Sequence, residues 1–302
     1  MNRIVLITGV AGFIGSKIAK KFLEKKYKVY GVDDLSNGIR KNIPNGVKFI
    51  KIDLSKKKNY IFLPKKCDQI LHLAGQSSGE ISFDNPQLDL EKNTISTLNL
   101  IDYGIKVRAK RIIYASSMSV YGEIKSKKAK ENMICNPLSC YGAGKLMSEN
   151  YLKIYKNKIS FISLRMFNVY GPGQDMNNLR QGMVSIFLAQ AKKNKKILVK
   201  GSLNRIRDFI YIDDVVNIWF RLFKSKIKNE IINLGTGKPT KVKLLINEIK
   251  KLMPGTIVNV KGTTPGDQNF VCSDNSKLKQ KLKISKFTNI IEGIKLFKNS
   301  IY

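Results

Sequence analysis

The feature that most limits how this chain can fold is the octapeptide Thr8-Gly9-Val10-Ala11-Gly12-Phe13-Ile14-Gly15, with three glycines spaced three apart. The apolar run Ile4-Val5-Leu6-Ile7 leads into it, and Phe13, Ile14, Ile18, Phe22 and Leu23 follow with the spacing of a helix face. A strand, a tight turn and a helix in that order make a dinucleotide loop. Glycine is needed because the backbone must turn sharply and approach a pyrophosphate, whose charge then rests at the helix N-terminus. A second strand runs into Asp33-Asp34, 18 residues beyond Gly15 and near the roughly 20 expected for a ribose-binding acid. Adjacent carboxylates suit ribose hydroxyls and repel a 2′-phosphate, which selects NAD over NADP as cofactor.

The first half repeats the alternation. Strands are predicted at 3–8, 28–32, 47–50, 69–73, 111–115 and 159–164, and helices at 13–25, 86–103 and 139–155. Strands separated by helical patterns predict an α/β fold with a doubly wound parallel sheet. At 302 residues the chain suffices for one large domain with a smaller lobe. Past Arg165 the texture changes. Gly171-Pro172-Gly173 breaks the chain, a helix is predicted over 182–193, and Asp213-Asp214 stand ready to cap a helix holding Val215, Val216, Trp219, Phe220 and Phe223. The expected division is a cofactor domain at 1–166 and mainly a smaller C-terminal lobe at 167–302, with segments near 207–225 returning to the first.

Tyr141-Gly142-Ala143-Gly144-Lys145 places Tyr141 and Lys145 four apart, on one helix face. A nearby ammonium favours phenolate and is expected to lower the tyrosine pKa from its free value of about 10, so that the phenol can take a hydroxyl proton. Two glycines inside a helix each cost about 1 kcal/mol relative to alanine, which makes sense if backbone or cofactor passes close to that face. Ser117 follows the fifth strand, at the carboxyl edge where such sheets hold ligands, and its hydroxyl can bridge substrate and Tyr141.

Composition narrows the alternatives. The chain carries 55 Lys+Arg against 22 Asp+Glu, a net charge of +33. The excess is mostly lysine, scattered through Lys20-Lys21, Lys56 to Lys58, Lys127-Lys128, Lys192-Lys193 and Lys277 to Lys283 without an aromatic-interleaved stripe. Solvated lysines with some steering of an anionic substrate account for it, and no nucleic-acid partner is expected. Cys67, Cys135, Cys140 and Cys272 form no C-x-x-C pair, and one histidine, His72 in an apolar strand, gives neither a zinc set nor a Ser-His or Cys-His pair. No metal is expected. No run approaches the roughly 18 to 20 apolar residues of a membrane span, so a cytoplasmic protein with no membrane partner is expected.

With these pieces in order, the chain resembles the extended short-chain dehydrogenase/reductase family and, within it, the nucleotide-sugar epimerases. The matching segments are TGVAGFIG (8–15), VDDLSNG (32–38), DL (53–54), LHLAGQSS (71–78), YASSMSVYG (114–122), YGAGK (141–145), LRMFNVYGPG (164–173), RDFIYIDDV (207–215), NLGTG (233–237) and PGD (265–267). The resemblance implies a seven-stranded Rossmann sheet and a substrate lobe. It implies NAD along Gly9, Gly12, Phe13, Ile14, Gly15, Leu73, Ala74, Gln76, Asn93, Tyr141, Lys145 and Phe167, with Asp33 and Asp34 on the adenosine ribose and Asp53 and Leu54 beside the adenine. Ser117, Tyr141 and Lys145 would oxidise C4 of a nucleotide-sugar and return the hydride to the other face. Asn168 and Arg207 would contact the diphosphate and Asp267 the nucleotide ribose. Relatives pair as homodimers through helices corresponding to 86–103 and 139–155.

Two departures refine the expectation. Sugar dehydratases of this kind carry an Asp-Glu pair after the catalytic hydroxyl residue, whereas Met118 and Ser119 stand here and cannot perform that proton transfer. An arginine that clamps phosphate in hexose epimerases is replaced by Thr264, which leaves the identity of the nucleotide open, and a bulky tyrosine by Val271, which leaves room for an N-acetyl group. A 4-epimerase acting on a UDP-hexose or UDP-N-acetylhexosamine is the leading expectation. A decarboxylase, reductase or 2-epimerase on the same scaffold is the alternative, and a non-catalytic NAD sensor or nucleic-acid-binding protein a distant one.

Overall fold

Val5 to Thr8 are wholly buried, as a strand covered on both faces must be. The structure, a computed structural model, describes residues 3–124, 128–180, 182–263 and 268–301. Six strands come from the first half: β1 (Ile4–Thr8), β2 (Lys28–Asp33), β3 (Lys48–Lys51), β4 (Gln69–His72), β5 (Arg111–Ser117) and β6 (Ser160–Met166). Later come β7 (Asn168–Tyr170), β8 (Lys196–Val199), β9 (Ile206–Arg207), β10 (Phe209–Tyr211), β11 (Glu230–Leu234), β12 (Thr240–Lys241) and β13 (Ile257–Val260). The main sheet runs β11-β6-β5-β4-β1-β2-β3, and every pairing in it is parallel. Its order reverses between β1 and β4, the switch point outside which doubly wound sheets bind ligands.

Nine helices are described: α1 (Phe13–Glu24), α2 (Pro86–Leu90), α3 (Ser96–Lys106), α4 (Cys140–Ile154), α5 (Met183–Asn194), α6 (Ile212–Lys224), α7 (Val242–Leu252), α8 (Ser276–Leu282) and α9 (Ile290–Asn299). The apolar stripe of α6 meets α1, where Phe22 packs edge-on to Phe220 and Phe223 with ring centroids 5.3 and 4.7 Å apart. The second half therefore closes one face of the sheet through α6 and one edge through β11. Three small pairs build the remainder: β7 with β10, β8 with β13, and β9 with β12.

Two expectations need correction. The helix predicted over 86–103 is interrupted by a π-helical turn at Glu91–Ile95, an irregularity that apolar spacing along the stretch does not reveal. Asp213 and Asp214 do not cap α6 from outside. They lie in its first turn behind Tyr211, and Asp214 accepts a hydrogen bond from the backbone N–H of Thr288 at 2.8 Å.

Candidate active site

The glycine loop is as tight as its sequence implies. A Cβ on Gly15 would lie 2.0 Å from the carbonyl oxygen of Gly9, and Gly9 itself, at φ +70°, lies against the backbone of Ala74. No side chain caps α1 and no acid occupies its first turn. Its partial positive charge is left facing the switch point, where a diphosphate fits. These features accommodate NAD.

Around that loop the expected cofactor residues are placed together but engaged differently. Asp33 accepts from the backbone N–H groups of Ala11 and Leu35, each at 2.9 Å, while burial holds its pKa above the ordinary carboxylate value. Asp34 and Asp53 both grip Lys92, at 2.7 and 2.9 Å. Burial works to raise the Asp34 pKa, but the bonds from Lys92 and Ser36 prevail and lower it. The pair of carboxylates is thus split: Asp33 braces the loop and Asp34 is neutralised by a lysine that motif spacing could not single out. Leu54 is buried in the core. Leu73 and Ala74 turn their N–H groups to Thr8 Oγ1. Gln76 folds back on Ser78 and donates to Asp89 Oδ1 at 2.9 Å. Asn93 sits in the π turn, where backbone irregularity often marks a site.

β5 extends two residues further than predicted, so that Ser117 ends the strand and its Oγ accepts from Ser119 N at 3.1 Å. Ser139 caps α4 by accepting from Gly142 N at 3.1 Å, which fixes the start of the helix, with Lys145 buried and Tyr141 partly buried in the cavity wall. Glycine at 142 is required because Ser119 O would lie 2.6 Å from a Cβ there. At Gly144 the close neighbours are Asp89 and Asn93, so adjoining protein accounts for both glycines.

The expected pKa shift of Tyr141 runs the other way. Burial pushes the phenol up to about 12, against a hydrogen bond from Ser117 that lowers it. Burial also brings Lys145 down to about 8. The ammonium lies 5.6 Å from the Tyr141 ring centroid, over its face and not at its oxygen. His72 is wholly buried between Thr8 Oγ1 at 2.8 Å and Thr97 Oγ1 at 2.9 Å, and burial lowers its pKa to about 3. It is a neutral strand residue.

Besides Asp89, two buried carboxylates carry no signal in the sequence. Glu149, one turn beyond Lys145, takes Arg165 bidentately at 2.8 and 3.0 Å and also accepts from Ser116 and Ser163. Asp208, beside Arg207, accepts from Thr236 N and Oγ1, Gly237 N, and Ser273 N and Oγ. It ties the NLGTG loop and the segment after Val271 to the strand carrying Arg207. A polar residue type alone does not distinguish such buried anchors from surface acids, and no spacing rule marks them.

A cavity of about 450 Å³ joins these parts, a size suited to a small-molecule ligand. Ser117, Met118, Ser119, Tyr141, Phe167, Asn168, Arg207 and Val271 all line it. Asn168 donates to Asp208 O at 3.0 Å and lies 3.8 Å from Met118 Sδ. Lys200, Arg205 and Arg207 supply positive charge, while Ser77, Ser78, Glu80 and Ser139 add polar groups. Glu80 is its one carboxylate among the described residues, and Arg180 pairs with it at 3.4 Å and with Asp84 at 2.8 Å. Thr264 and Asp267 lie outside the described residues.

Comparison with known proteins agrees with this geometry. UDP-glucose 4-epimerase of Thermotoga maritima, solved with UDP-glucose, superposes with a TM-score of 0.92 over 99% of this chain and 98% of that one, at 31% identity. UDP-N-acetylglucosamine 4-epimerase of Methanobrevibacter ruminantium, solved with UDP-N-acetylmuramic acid, gives 0.92 over the same shares at 28% identity. UDP-glucuronic acid decarboxylase 1 of Xenopus tropicalis is 32% identical over 257 residues, 82% of this chain and 60% of that protein. Residues 5–235 match the profile of the NAD dependent epimerase/dehydratase family. The chain belongs to the NAD dependent epimerase/dehydratase family.

Proposed function

We propose that the protein is a nucleotide-sugar 4-epimerase acting on a neutral UDP-hexose or UDP-N-acetylhexosamine. The observation that carries this reading is the wall of the cavity after β5. Ser117 and Tyr141 stand beside Met118 and Ser119, so a sugar hydroxyl can lose its proton to Tyr141 while no unpaired carboxylate among the described residues serves C5 or C6. NAD bound at the glycine loop supplies a hydride acceptor and a positive charge on its nicotinamide ring. Such a charge near the phenol would favour phenolate, adding to that of the Lys145 ammonium 5.6 Å from the Tyr141 ring centroid. Ser117 holds the substrate oxygen and the phenol in line. Tyr141 would hold the proton taken from the hydroxyl and return it to the same oxygen when the carbonyl is reduced.

The charge of the cavity supports a neutral sugar. Arg180 is committed to Glu80 and Asp84, so a uronate carboxylate would meet Glu80 and serine hydroxyls. Arg207, Arg205 and Lys200 suit the diphosphate, and Val271, at 1% exposure in the cavity wall, leaves space beside the sugar. In this reading residues 1–166 hold NAD and 167–302 mainly hold the nucleotide-sugar. The protein works as a cytoplasmic homodimer, supported by Leu88, Ile95, Met147 and Ile154, apolar side chains left exposed on the 86–106 and 140–154 helices. Incubation with UDP-, GDP- and CDP-sugars and separation of the products tests it. A C4 epimer from a neutral UDP-sugar is expected, and its absence from every member of the panel overturns the reading.

A further inference from the structure

Lys145 is 4% exposed and its ammonium makes no hydrogen bond or ion pair among the described residues. A buried charge of this kind persists only with a compensating charge nearby. The titratable groups facing it come from several elements. Tyr114 on β5 lies under it at 5.0 Å, Tyr141 at 5.6 Å, and neutral His72 on β4 behind. Glu149 on its own helix is taken by Arg165. There remains Asp89, on α2.

Asp89 is 1% exposed. Its Oδ1 accepts from Gln76 at 2.9 Å and from Asn93 at 3.1 Å, whereas its Oδ2 is buried without any hydrogen-bond partner. That oxygen lies against Gly144, the residue before Lys145, where a Cβ would sit 3.3 Å away. Asn93 Oδ1 is likewise buried and unpartnered. It and the Lys145 ammonium both border Gly75, where a Cβ would lie 2.4 Å from the one and 3.4 Å from the other. A carboxylate, an amide oxygen and an ammonium thus share one buried pocket walled by two glycines.

We propose that Asp89 is a positioning residue, the buried counter-charge that keeps Lys145 protonated, with Gln76 and Asn93 holding its carboxylate and the Asn93 amide oxygen turned toward the ammonium. The inference rests on Lys145 belonging to the active site. Burial brings the Lys145 pKa down to about 8 and Asp89 opposes that fall. Without the carboxylate the ammonium titrates lower and is lost near neutral pH.

The test compares wild type with Asp89→Asn, which keeps an acceptor for Gln76 and Asn93. The readout is the rate at which an added UDP-sugar reduces the bound NAD, followed by the near-ultraviolet absorbance of the reduced nicotinamide across pH. Only oxidation of a hydroxyl is needed for this signal, so it is distinct from whether a C4 epimer is released. The variant is expected to keep its NAD, to show its alkaline limb displaced to lower pH by about one unit, and so to run about tenfold slower on that limb. Its rate should converge with wild type at acid pH. The double variant Asp89→Asn/Asn93→Asp, which moves the charge one turn along, is expected to return the limb toward its original position. An equal loss at every pH, or an unmoved alkaline limb in Asp89→Asn, overturns the proposal. So does failure of the double variant to restore the limb.

Discussion

At Tyr141 burial and hydrogen bonding oppose each other, and burial prevails: the phenol stands at about 12 while Ser117 pulls it down. A phenol so placed is a poor base until a positive charge approaches its oxygen. Tyr141→Phe is expected to abolish turnover while leaving NAD in place, measured as nucleotide released on denaturing the purified protein. Activity near that of wild type would remove Tyr141 as the base. Lys145, brought down to about 8 by burial, is charged at neutral pH and loses its proton above that value. The rate of hydroxyl oxidation is therefore expected to decline above about pH 8 with a single alkaline limb. Lys145→Met should remove that limb along with most of the rate.

Among the elements, α4 carries Tyr141 and Lys145 of the proposed site, and its placement depends on the Glu149–Arg165 pair, exposed by 0% and 2%. The pair joins α4 to β6, and Ser116 adds β5. Glu149→Ala leaves a buried guanidinium unpaired and is expected to cost about 3–5 kcal/mol in urea unfolding. A change below 1 kcal/mol would show that solvent reaches the guanidinium. This pair was not legible in the sequence, whereas Tyr141 and Lys145 were, because spacing of four on a helix is a local property and pairing across β6 is not. The same distinction explains Lys92, whose hold on Asp34 and Asp53 depends on a π turn within a stretch that reads as unbroken helix. The six first-half strands were legible within a residue or two, since each is a short buried run bounded by loops. The glycine loop was legible because its tight turn permits only that residue. What failed was the pKa of Tyr141, because burial is set by the whole fold and not by a neighbour four residues away.

At the scale of the molecule, the net charge is +33, and Lys200, Arg205 and Arg207 line the cavity. If it steers a diphosphate, kcat/KM for a UDP-sugar should fall as ionic strength rises from low to physiological, with kcat little changed. A flat salt dependence would make the lysines mere solvated surface. The exposed Met147 and Ile154 of α4 set a second expectation: Met147→Glu/Ile154→Glu should convert a dimer to a monomer in light scattering, and a monomeric wild type would contradict the assembly. The sheet order places Ser117, Tyr141 and the glycine loop at one carboxyl edge, but the reaction itself depends on what happens at C4 and C5 of the sugar. The most direct measurement is NMR of the product formed from a neutral UDP-sugar in deuterated water. The expected result is a C4 epimer with no solvent deuterium at C4 or C5 and no net reduced NAD. A product carrying deuterium at C5, or one that has lost water or carbon dioxide, would contradict 4-epimerisation.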